Sequence, residues 1–260
     1  MDHDLIRSQM PALVSGHVPR NARSFTFAIY DGLPQLSMLG FRLDPKPFEG
    51  KVIASNDEAI VVKTGRTTFA VLNRDLVTEQ PTEGSKVRVT PYARYRFDGQ
   101  RADTPEEKVD YASDGTPYVI KTHVLGSAVA KLPVPKPECY ELAALIEQLE
   151  QMPAPDGFRS ISHLLVDAKA KNFSLVDPQP EDILRTPPAI NFDVETTKFT
   201  GQVSVLYDRG MDVYVIELRR NGELLQRLDE VYFDCLGDTL QRLIDDGRWR
   251  QIHVELLTRP

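Results

Sequence analysis

The chain has 260 residues, 41% hydrophobic, 27% charged and 8% aromatic, with 15 Gly and 19 Pro, proportions that exclude a disordered, collagen-like or coiled-coil protein. Its 31 Lys and Arg against 38 Asp and Glu leave a net charge of −7, so attraction to nucleic acid or an anionic membrane must come from a local patch. The longest run free of Lys, Arg, Asp and Glu, Ser8–Pro19, contains Pro11 and Gly16 and falls short of the roughly 18 apolar residues of a membrane span. Asp2 and Asp4 stand where a secretion signal needs positive charge. Two cysteines, Cys139 and Cys235, are too few for a disulfide scaffold or a cysteine-rich zinc site. The expectation is a cytoplasmic protein with no membrane partner, in which both thiols are small buried apolar groups.

Taken in chain order, Ser24–Tyr30 and Leu36–Leu43 read as short strands around the turn at Asp31-Gly32-Leu33-Pro34. From Gly50 to Phe97 four strands follow in dense succession, joined at Asn56-Asp57, Gly65-Arg66 and Glu83-Gly84, which suggests a small barrel-like module with Val61, Phe69, Val71, Val87 and Val89 inside. Asp103, Glu106, Glu107, Asp110 and Asp114 then mark a solvated acidic loop, and Tyr118–Val124 reads as a strand. Leu142, Leu145, Ile146, Leu149 and Met152 keep helical spacing up to Pro153, and Phe158, Ile161, Leu164, Leu165 and Ala168 repeat it, which predicts an antiparallel helix pair. Beyond a Pro-rich joint, Gly201–Tyr207, Val213–Arg219 and Glu223–Leu228 alternate as strands. Asn221-Gly222 is a strong hairpin signal, Phe233 to Ile244 forms an amphipathic helix, and Ile252, Val254 and Leu256 make a last strand. Trp249 is expected to close one end of this C-terminal unit. The predicted fold is α+β: a β segment over 1–45, a barrel-like module over 46–102, an acidic loop, strand and helix pair over 103–180, and a hairpin, helix and strand unit over 187–260.

The strongest functional signal is Lys86–Phe97. In an unbroken strand, alternation places Lys86, Arg88, Thr90, Tyr92, Arg94 and Arg96 on one face and Val87, Val89, Pro91, Ala93, Tyr95 and Phe97 on the other. Cations with an aromatic ring suit a phosphate backbone and stacked bases, and Lys51, Lys63 and Arg66 could extend the patch. Phe41–Arg101 holds 11 Lys and Arg against 8 Asp and Glu, a local net of +3. The ordinary alternative is a solvated charged strand, and Pro91 marks a possible bulge that would move Arg94 and Arg96 off the face.

Residues 50–92, through their paired strands, Gly65-Arg66, Arg74 with Leu76, and Pro81-Thr82-Glu83-Gly84 ahead of Val87 and Val89, resemble the KfrB-type domain, a small β module of plasmid-borne and conjugation-associated proteins. The resemblance implies a mobile-genetic-element setting and no reaction.

Enzyme signatures are sparse. Gly50-Lys51 lacks the glycine and the hydroxyl of a P-loop, there is no G-x-S-x-G or H-E-x-x-H, and the five histidines are scattered. His163 reads as a surface or satisfied side chain. Asp234 and Asp238 suit a helix N-terminus. Asp212, Glu217 and Arg219 only faintly resemble a nuclease constellation, because arginine keeps its proton. The expectation is therefore a binding or accessory protein, with no catalytic, cofactor or metal residues. Its basic face of Lys63, Arg66, Lys86, Arg88, Tyr92, Arg94 and Arg96 would dock nucleic acid or a nucleoprotein. A protein-interaction or inhibitor module using acidic surfaces is the alternative, and a metal-dependent nuclease the third reading; the oligomeric state is not legible.

Overall fold

The computed structural model describes residues 1–124, 126 and 128–258. The fold is α+β, as expected, and the chain divides into two compact units: Met1–Ala93 together with the stretch from Arg248, and Arg94–Gly247.

The first unit begins with a helix, His3–Leu13 (α1), where the sequence reading expects a β segment over 1–45. Asp2 caps it by accepting the Asp4 and Leu5 amides at 2.9 and 3.1 Å. Ile6, Met10 and Val14 recur every four residues as its buried stripe. Strands follow at Thr26–Tyr30 (β1), Gln35–Leu36 (β2), Arg42–Leu43 (β3), Phe48–Ser55 (β4), Ala59–Lys63 (β5), Thr68–Asn73 (β6) and Lys86–Thr90 (β7). β2 and β3 form a small hairpin of their own. The main sheet has the order β1-β6-β5-β4-β7 and ends on the last strand of the chain, His253–Thr258. It is not the expected barrel. β1 enters parallel to β6 and the C-terminal strand pairs antiparallel with β7, so two distant segments occupy the two ends of the run and the strands do not close on one another.

Val61, Phe69, Val71, Val87 and Val89 are all buried, but on two faces. Val61, Phe69 and Val71 pack with Ile53 under α1, while Val87 and Val89 join Val52, Ile60, Val62, Leu72, Ile252 and Val254 on the other side. β5 is therefore apolar on both faces, which explains its unbroken Ala-Ile-Val-Val run. Gly50 is needed where β4 crosses β5: a Cβ there would stand 2.5 Å from the Lys63 carbonyl oxygen.

In the second unit the expected acidic loop is an exposed hairpin of Glu106–Tyr111 (β8) and Pro117–Thr122 (β9). Tyr140–Gln151 (α2) and Ile161–Asp167 (α3) are the predicted helix pair. Lys171–Val176 (β10), Ala189–Glu195 (β11), Thr200–Asp208 (β12), Val213–Arg220 (β13) and Glu223–Val231 (β14) form an antiparallel meander, in which β10 and β11 go beyond the sequence reading. The final helix, Leu236–Ile244 (α4), buries Leu236, Leu240 and Ile244 with α2, α3 and Val203, Val205, Ile216 and Leu218 of the sheet. The last strand and Trp249, expected to complete this unit, belong to the first, where Trp249 meets Tyr92 edge-on at 4.7 Å. A short alternating strand carries no mark of which sheet edge it will join.

Asn221 and Gly222 both have positive φ, 52° and 85°, as a tight hairpin turn demands. Gly222→Ala has open space around it, so its cost is the left-handed backbone alone. Urea unfolding should show a loss of about 1–2 kcal/mol; no loss would mean that the turn relaxes to another type.

Candidate functional site

β7 ends at Thr90, where Pro91 supplies no N–H to continue the ladder. Side-chain alternation stops there, so the predicted face is divided. Tyr92 packs edge-on against Trp249. Arg94 turns inward: its Nη1 donates to the Phe158 carbonyl at 3.0 Å, and its guanidinium lies 4.0 Å over the Phe158 ring, 3% exposed. Arg96 lies in a separate turn, donating through Nη2 to Gln100 Oε1 at 2.5 Å, with Asp98 at 3.8 Å. The alternation that would set Tyr92, Arg94 and Arg96 on the face of Lys86 and Arg88 therefore ends at Thr90, and each of the three takes partners of its own.

The remaining residues do assemble, across strands instead of along one. Lys51 is directly opposite Lys63 on β5 and directly opposite Lys86 on β7. Opposed residues of antiparallel strands project to the same face with Cβ atoms about 4.5–5.5 Å apart. Lys86, Lys51 and Lys63 therefore form a lysine ladder across β7, β4 and β5, on the face that α1 covers further along the sheet. Like charges directly opposed destabilise a sheet, so this ladder needs compensation.

Only one side of it is compensated by carboxylates. Glu49 pairs with Lys86 at 3.1 Å and with Arg88 at 2.9 Å, and Glu255 of the C-terminal strand takes the other side of Arg88 at 3.0 Å. Hydrogen bonds from Lys86 and then Arg88 hold the Glu49 carboxyl below its ordinary value, and Glu49 raises that of Arg88. Lys51 and Lys63 have no carboxylate partner among the described residues. Lys63 Nζ donates to the His17 carbonyl at 2.6 Å, and Arg66 Nη2 donates to Asn21 Oδ1 at 2.8 Å; both acceptors are neutral. Both come from the segment after α1, which itself exposes Arg20 and Arg23. No Asp or Glu occurs between Asp4 and Asp31 or between Glu58 and Asp75, so the two stretches that meet here carry cations only. The result is a basic strip from Lys86 through Lys51 and Lys63 to Arg66, Arg20 and Arg23. Arg20 and Arg23 are missed by pattern reading because they lie in a loop, without periodicity.

The acidic and nucleophilic candidates are otherwise engaged. Asp212 accepts from the Tyr207 hydroxyl at 2.7 Å, whereas Glu217 accepts from Arg219 at 2.7 Å and Arg227 at 2.5 Å; the supposed nuclease trio is a turn and a separate ion-pair cluster. No three His, Cys, Asp or Glu side chains gather as metal ligands among the described residues. Ser160 Oγ lies 2.7 Å from His163 Nδ1, but the pair forms the capping box of α3, with His163 buried. Cys139 is buried as expected, whereas Cys235, the residue just before α4, is exposed. No helix is long and apolar enough to cross a membrane among the described residues. Comparison with family models, curated proteins and solved structures finds no match, so the functional reading rests on the basic strip itself.

Proposed function

We propose that the protein is a non-enzymatic binding or accessory protein of the cytoplasm, in the mobile-element setting that the KfrB-type resemblance implies. Its N-terminal unit docks the phosphate backbone of nucleic acid, free or in a nucleoprotein. The observation that supports this is the lysine ladder: Lys51 and Lys63 are directly opposed and neither pairs with a carboxylate among the described residues, an arrangement that an anionic ligand would relieve. Each phosphate contact adds to the salt dependence of binding. Lys51→Ala with Lys63→Ala should therefore lower the magnitude of the slope of log K against log salt by about 1.8 on duplex DNA and about 1.4 on single strands, measured by fluorescence anisotropy on labelled DNA and RNA. Arg88→Ala should change it less, because Glu49 and Glu255 already neutralise that guanidinium. Absent binding at low salt, or an unchanged slope in the double variant, would remove the proposal.

A protein partner is the second reading, favoured by the β2–β3 hairpin, whose tip holds Leu36, Met38, Leu39 and Phe41 exposed around the Ser37–Phe41 turn. Apolar groups so placed mark contact surfaces. Met38→Asp with Leu39→Asp should abolish co-purification of a protein from nuclease-treated extract while leaving DNA binding unchanged; if co-purification persists, the hairpin is not the contact.

A further inference from the structure

The segment that accepts the Lys63 and Arg66 hydrogen bonds also walls a cavity of about 210 Å³, lined by Val14, Val18, Ala22 and Phe25 with Arg23 and Ser24 at its side. Both sides of this wall are used. His17 and Asn21 offer oxygen to the basic strip, and their neighbours Val18 and Ala22 line the notch. Phe25 is held by Phe69, edge-on at 6.0 Å and 85°, so its ring is a fixed surface. We infer that this notch receives one unstacked base of a single-stranded nucleic acid, with the adjoining phosphates on Arg23, Arg20 and the strip through Lys63 and Arg66.

The inference rests on the phosphate-docking reading above and deepens it. The flat π face of a base suits a slot with an aromatic wall, and a polyanion needs cations spaced beside it. The acid-free stretch from Leu5 to Tyr30 supplies the slot and part of the cation set in one piece of chain. Duplex bases are paired and stacked, so a duplex would meet only the cations.

The test uses the full chain with three labelled probes: a short oligothymidine, an abasic strand of equal length, and a duplex of the same length. Aromatic stacking of one base corresponds to roughly tenfold in affinity, so the oligothymidine should bind about tenfold tighter than the abasic strand at equal salt. Ala22→Leu, which fills the notch, should erase that difference and leave the salt slope intact. Equal binding of oligothymidine and abasic strand, or a preference that survives Ala22→Leu, overturns the inference and leaves the notch to an apolar side chain of a protein partner. In that outcome, a slope that still responds to Lys51→Ala with Lys63→Ala keeps the strip reading. Failure of all three probes to bind at low salt removes both. The abasic comparison needs no variant, so a misfolded Ala22→Leu protein does not weaken the test.

Discussion

Arg159→Ala is expected to lower the stability of the second unit by about 3–5 kcal/mol, the loss typical when one partner of a buried charge cluster is removed. The Arg159 side chain is 0% exposed and meets three carboxylates: Asp156 at 3.0 Å, Asp167 at 2.7 Å, and Asp245. Asp156 lies in the turn before α3, Asp167 at the end of α3 and Asp245 directly after α4, so one guanidinium ties two helices and a loop. Burial alone would disfavour its charge; Asp167 and Asp245 outweigh that and hold it firmly protonated. Without it, three desolvated carboxylates lose the guanidinium they share. Arg159→Lys should not rescue, because an ammonium cannot offer the fan of donors that reaches three acceptors. Urea unfolding of the full chain measures the loss, and hydrogen exchange in α3 and α4 locates it. A change below about 1 kcal/mol would mean that water replaces the guanidinium.

Acidification is expected to cost the folded chain about 3 kcal/mol between pH 6.5 and pH 4 through one histidine. Burial, helped by the Arg94 guanidinium nearby, pushes the His163 pKa down from 6.5 to about 4. The sign follows directly. In that interval the unfolded chain protonates the imidazole and the folded chain does not, so stability is complete above pH 6.5 and falls as pH approaches 4. His163→Gln should flatten this part of the profile while keeping the capping box, since glutamine can take the same place at the third helical position. A second acid limb lies lower: burial would raise the Asp156 pKa, but the Arg159 and Phe158 amides and the Arg159 charge leave it below its ordinary 3.8, so its contribution is lost only as pH falls beneath the usual carboxylate range. Unfolding free energies across pH for the two proteins decide the matter: parallel profiles would show that His163 is hydrated in the folded state.

Local patterns located most elements, and they did so wherever one element contained its own signal. α2 was legible because Leu142, Leu145 and Leu149 all face one core, and the β13–β14 turn because Asn-Gly can adopt two consecutive positive φ values at little cost. α1 escaped because Pro11 lies within it; near the helix end the missing N–H interrupts the pattern without ending the helix. Of the candidate surface, Lys63, Arg66, Lys86 and Arg88 were found from charge and alternation. The error came from extending β7 past Pro91, which placed Tyr92, Arg94 and Arg96 on a face that the backbone does not continue.

The amino-acid order by itself determined the α+β class, the buried valines of β5–β7, and the presence of excess positive charge between Phe41 and Arg101, because each depends on neighbours a few residues apart. Which cations stand together was decided only in three dimensions. Lys51 meets Lys63 and Lys86 through strand register, Glu255 reaches Arg88 from the far end of the chain, and the loop after α1 brings Arg20 and Arg23 to the strip. Coulomb energy depends on distance through space, and pairing of residues tens or hundreds of positions apart is set by the packing of whole sheets and helices, which no local period in the sequence encodes.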